Sequence, residues 1–221
     1  MLNALLLADA RLPTGAYSYS AGLEPGVIAG LRTEDVHPYM LARLQTVARL
    51  DAAACVLAHR HAVDHAPTSV YERLQAAMEA RMPSAAQRNI ARNLGRAQLR
   101  LARALRPDHP GVIALSELQI SPLRPVALGV MAAALDVDEQ HCAEVSCYED
   151  LQNVAAAALK LLPTDPLAAT GWVVDAGAQV SAVVADVREI RDCHELPAFS
   201  APCMEHWAEA HTQRTRRLFV A

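Results

Sequence analysis

The sequence predicts an all-α protein: one domain built as a bundle of about eight to ten helices. Composition supports this first, because 52% of the chain is apolar while only 4% is aromatic. Alanine, leucine and valine therefore carry the core, and alanine and leucine enter helices at little entropic cost. Periodicity supports it second, with apolar residues recurring every three or four positions through the longer segments. Third, no period-2 alternation is bounded by Asn-Gly or Asp-Gly turns, as a hairpin requires. A chain of 221 residues closes around one sizeable core. No repeat of fixed period and no glycine- or serine-rich linker divides it.

The elements follow in order. A short apolar helix around Leu5, Leu6 and Leu7 runs into a Pro13-Thr14-Gly15 turn, where glycine supplies a backbone angle other residues resist. From 40 to 61, Met40, Leu44, Val47, Leu50, Ala54 and Leu57 form one apolar face, with Arg43 and Asp51 intruding at its edges. From 88 to 105, Ile90, Leu94, Ala97, Leu101 and Leu105 share a face opposite Arg88, Arg92, Arg96, Arg100 and Arg103. Pro83-Ser84 supplies the break and cap before that helix, and Pro107 ends it. A further helix follows Pro122 and Pro125 and runs to Leu135, and another covers 144–162 before Pro163. The last long one starts at Asp165-Pro166, a capping residue with proline in the first turn. It aligns Val173, Ala176, Val180, Val183, Val187 and Ile190. The tail 201–221 reads as a short terminal helix or a mobile, arginine-rich segment.

Several chemistries are excluded or disfavoured. Lys160 is the only lysine among 20 basic residues and has no glycine-rich cradle before it, so a P-loop is absent. No G-x-S-x-G, H-E-x-x-H or dinucleotide-type glycine fingerprint occurs. A net charge of -4 argues against a nucleic-acid binder. No secretory signal is evident, and no run of about 18 uninterrupted apolar residues suggests a membrane span. The strongest apolar stretch, 173–187, is interrupted by Asp175 and Asp186. Five cysteines without a C-x-x-C pair fit reduced thiols in the cytoplasm.

The histidines and cysteines are weighed as ligands. His61 and His65 are four apart on one helix face, Cys203 and His206 are three apart, and Cys193 neighbours His194. Such pairs arise readily in a chain with nine histidines, so no dedicated tight metal site within one chain is expected. Cys142 and Cys147 read as small packing residues.

The chain carries five ordered motifs. Pro13, Thr14, Gly15, Ser20, Gly22, Leu23 and Glu24 form a P-T-G-x-x-x-x-S-x-G-L-E pattern. Arg92-Asn93-Leu94-Gly95-Arg96 lies on the arginine-rich helix, and Pro125-Val126-Ala127-Leu128-Gly129 opens the next. Leu151-Gln152-Asn153-Val154 leads to Lys160-Leu161-Leu162-Pro163, and the chain ends Arg217-Leu218-Phe219-Val220-Ala221. Through these motifs the sequence resembles the urease accessory protein UreF family over nearly its full length. Pro25, Ala156, Asp165-Pro166 and Tyr19 depart from that pattern.

The resemblance implies a helical, homodimeric, non-enzymatic accessory protein acting in nickel insertion. Its implied partners are UreD (also called UreH), the GTPase UreG and the urease apoprotein. It implies no cofactor of the chain's own, nickel and GTP being handled by the complex. Carried over onto matching positions, Tyr17 and Arg217 become partner contacts, and the tail is expected to order on UreD. Ser20, Glu24, Gly95, Arg96, Arg214, Arg216, Leu218 and Phe219 complete the expected contact set. Two rival classes are a helical DNA-binding regulator, prompted by the arginine row, and a metal-dependent helical enzyme. The acidic net charge disfavours the first. The second lacks the paired E-x-x-H motifs of helical metal centres.

Overall fold

The computed structural model describes residues 1–199, 201–215 and 217–219. Its elements are α1 (Leu2–Leu7), a 3-10 turn (Ala16–Ser18), α2 (Leu23–Ile28), α3 (Thr33–Gln45), α4 (Val47–Val63), α5 (Thr68–Glu79) and α6 (Ala85–Leu105). These are followed by α7 (Pro110–Ser116), α8 (Arg124–Ala134), α9 (Glu139–Leu161), α10 (Pro166–Asp175), α11 (Gly177–Val187), a second 3-10 turn (Cys193–Glu195) and α12 (Pro202–Thr212). The described residues contain no strand.

The centre is a pair of helices, α4 and α8, that the others enclose. Every residue of α8 is buried, and α4 buries an unbroken run from Ala52 to His59. Alanines and one glycine make this possible. A Cβ on Gly129 would stand 2.2 Å from the Cys55 carbonyl oxygen, so the two backbones meet there at a distance only glycine allows. Helices α3, α9 and α11 pack on one side of α4, α5 and α7 on another, and α6 lies along α8.

Two apparently continuous apolar stripes are each divided between two helices. Thr46 adopts φ −122°, ψ −92° between α3 and α4, while the apolar stripe simply continues on both sides. The stretch expected to run from 165 to 190 bends at Ala176 into α10 and α11. Helix α9 begins earlier than its apolar pattern suggests, because Asp138 accepts the His141 N–H at 2.9 Å and caps a polar first turn. The expected caps at Ser84 and Asp165 accept from Gln87 and Leu167.

The stretch Pro166–Val187 is the most apolar one in the described residues. By length and composition alone it is apolar enough for a membrane span, with an 18-residue window of mean hydropathy 1.3 that is 22% buried. Asp175 and Asp186 interrupt the stretch, and its two helices meet at Ala176.

The tail contains a short terminal helix, the first of its two expected forms. Read alone it has little to bury, but α12 packs against α2 and α6. Glu209 accepts the Ser84 hydroxyl at 2.7 Å and the Ala86 N–H at 2.9 Å, capping α6 from another helix. Trp207 lies against Tyr39 with ring centroids 6.3 Å apart. Free α6 N–H groups and an aromatic partner, both distant in sequence, thus hold a segment that locally looks mobile.

Candidate partner interface

The 13–24 segment turns twice through left-handed backbone. Gly15 sits at φ 80° ahead of the first 3-10 turn, which leaves Tyr17 72% exposed. Ser20 is fully buried and its Oγ accepts the Glu24 N–H at 3.3 Å. Tyr39 donates to the Ala21 carbonyl at 2.8 Å. The turn is thereby fastened to α3, and Glu24 opens α2 with its carboxylate facing inward.

That carboxylate receives the C-terminal segment. Glu24 Oε1 accepts the Leu218 N–H at 2.7 Å and Oε2 accepts the Phe219 N–H at 2.9 Å. Buried His211 on α12 places Nε2 3.3 Å from Glu24 Oε2, although the ring makes no hydrogen bond of good geometry. The Phe219 ring is buried beneath Lys160, whose Nζ stands 5.0 Å from its centroid. Chain start, chain end and α9 therefore meet in one place.

Around this junction the surface is open and apolar. A cavity of about 340 Å³ is lined by Tyr17, Tyr19, Tyr148, Lys160 and Phe219 among others. A neighbouring one of about 600 Å³ involves Met1, Leu5, His141, Glu144 and Tyr148. Both include Ala8, Asp9 and Tyr148, so they form one continuous face. Leu2, Leu5 and Leu218 are each more than half exposed on the chain's two ends. Exposed apolar groups gathered around a cleft are a feature of contact surfaces, which makes this face the candidate interface.

Beneath the turn lies a buried charge network. Arg43 grips Asp150 bidentately, at 3.0 and 2.5 Å. Arg124 pairs with Glu149 and stands 3.8 Å from Asp51. Two cations thus face three acids. Burial pushes Asp51 up to about 6, with the nearby Arg124 only partly offsetting it, and burial also raises Glu149. The same desolvation lifts the Tyr39 phenol to about 12. Arg43 and Asp51, read at first as intrusions on the edge of a stripe, are members of this network. A charge set within an apolar face was its sequence signal.

The expected contact residues divide by burial. Tyr17, Arg96, Arg214, Arg217 and Leu218 are exposed. Ser20, Glu24, Gly95 and Phe219 are buried, so their place is inside the junction or core and not on its surface. Gly95 is where α6 meets the segment entering α8: a Cβ there would fall 2.1 Å from the Pro122 carbonyl oxygen. Arg96 donates to Ser121 Oγ at 3.1 Å. Arg216 lies outside the described residues. His61 and His65 diverge, one ring meeting Tyr71 edge-on and the other His109. Cys142 and Cys147 are fully buried. Asp192, Cys193 and His194 bring their donor atoms within 4.8 Å of one another on one largely exposed turn.

The family model described as UreF matches residues 32–177. The sequence is also 31% identical over 221 residues to the urease accessory protein UreF of Mycolicibacterium vanbaalenii, covering 98% of this chain and 97% of that protein. The chain belongs to the UreF family. Proteins of the same name from Mycobacterium bovis BCG Pasteur 1173P2 and Mycobacterium tuberculosis H37Rv are each 31% identical over 229 residues, with the same coverage. Within this UreF family member, the first and last of the five motifs meet at Glu24, although the family-model match contains neither.

Proposed function

We propose that this chain is a non-catalytic urease accessory protein, a cytoplasmic scaffold in the machinery that inserts nickel into the urease apoprotein. In this reading it assembles with UreD/UreH and the GTPase UreG. It supplies shape and contact surface, while nickel is cargo and GTP is handled by UreG. The convergence of the two terminal motifs at Glu24 carries the reading, because it builds a ready contact face from residues that resemble the family's contact positions. Tyr17, Leu218, Arg214 and Arg217 present that face to a partner.

The reading includes a homodimer. Support comes from α10 and α11, where Leu167 is 80% and Val174 72% exposed and α10 buries only Ala169. Between Asp165 and Asp186 the one charged side chain is Asp175. Two copies can meet on such a face with little like-charge repulsion, although each carries a net charge of -4.

Co-expression of urease structural and accessory proteins, with and without this chain, tests the role. Urease activity should depend on its presence, and Arg217→Ala should weaken capture of UreD and UreG with helicity unchanged. Activity indifferent to the chain would refute the role.

A further inference from the structure

A second surface stands apart from the tail junction. The arginine row of α6 looks uniform in sequence, yet the fold uses its members unequally. Arg88 donates to the Met82 and Pro83 carbonyls, Arg92 pairs with Glu79 at 2.7 Å, and Arg96 binds the Ser121 hydroxyl. Among the described residues, Arg100 and Arg103 have no ion-pair or hydrogen-bond partner. They are three apart on one helix face, where like charges repel.

Both border the same cleft between α6 and α7, of about 680 Å³. Ala104, Pro107 and Ile113 give it an apolar wall, and Ile113 is 47% exposed. Glu117 also lines it, but its carboxylate accepts the Thr68 hydroxyl at 2.7 Å. The cleft thus presents two free guanidiniums beside an aliphatic surface, on a protein that is acidic overall. None of its lining residues belongs to the two cavities at the tail.

We propose that the α6–α7 cleft is a docking site for an acidic protein segment that also carries an aliphatic side chain. Guanidiniums pair carboxylates in a planar, two-pronged geometry, and the Pro107–Ile113 wall receives the aliphatic group. A nucleic acid fits less well. Its phosphates would gain two contacts only, its bases would find no aromatic platform, and the apolar wall would go unused. The inference is independent of the urease role, since it uses no residue of the tail junction.

Fluorescence anisotropy on the full-length protein tests it, with a labelled peptide of about eight alternating Glu and Leu residues. The peptide should bind, and Arg100→Ala/Arg103→Ala should weaken it at least about tenfold. Raising salt from about 50 to about 300 mM should also weaken it. Arg217→Ala should leave binding unchanged, and Arg100→Lys/Arg103→Lys should retain only part of it, because an ammonium keeps the charge but not the two-pronged geometry. No binding, equal binding of a Gln-Leu peptide, full binding by the double alanine variant, or tighter binding of a single-stranded oligothymidine would each overturn the proposal.

Discussion

The Glu24 carboxylate accepts the backbone N–H of Leu218 at 2.7 Å across 194 positions of sequence. With the Phe219 N–H on its other oxygen, one buried acid fastens the end of the chain to its beginning. Charge-assisted bonds of this kind contribute more than neutral ones. Removing the acceptor also leaves two amides without a partner.

Glu24→Ala should therefore free the C-terminal segment. Trypsin cleavage at Arg214 and Arg217 should accelerate, while far-UV circular dichroism stays near wild type. The expected loss of stability is about 1–3 kcal/mol. Unchanged cleavage rates would mean that the Phe219 ring and α12 suffice to hold the segment.

Asp150→Ala should be among the most damaging single changes in the protein. It strands the fully buried Arg43 guanidinium, which is 2% exposed, and breaking a buried pair from one side costs about 3–5 kcal/mol. Urea denaturation measures this directly. Replacing both partners with apolar residues should restore much of the loss, because no lone charge then remains inside.

Asp51 gives the fold a pH dependence whose sign is set. Its proton is held up to about pH 6 in the native state but only to about pH 4 in the unfolded chain. Its contribution to stability therefore falls as pH rises from about 4 to about 6, and the cost is complete above that. Asp51→Asn should be more stable than wild type at about pH 8, by about 1–3 kcal/mol. The advantage should disappear near pH 4. A difference that does not vary with pH would show that Asp51 ionises normally.

Gly95→Ala should push α6 away from the loop entering α8. A methyl group cannot share space with the Pro122 carbonyl, and such overpacking costs about 1–3 kcal/mol. Thermal denaturation should show the loss. A neutral or stabilising result would contradict the close approach.

Much of the helical layout was legible in the sequence. Ser84 and Asp165 were recognisable caps, Pro163 closes α9, and the 85–105 helix shows its two faces plainly. The divisions at Thr46 and Ala176 were not, because an apolar stripe can pass through a bend unchanged when both flanking helices face the same core. The candidate contact site was legible only as two separate motifs. Burial then divided its members: Tyr17 and Arg217 face outward, whereas Ser20, Glu24 and Phe219 join the motifs from within.

By itself the sequence determined the fold class, several helix ends and the family, because periodicity, caps and motif order are local properties of the chain. Only the tertiary structure decided that Arg43 meets Asp150, that Glu24 holds Leu218 and Phe219, and that Arg100 and Arg103 find no partner among the described residues while Arg92 does. Those outcomes depend on which distant groups share a low-dielectric interior or a common surface. No spacing along a single helix encodes that.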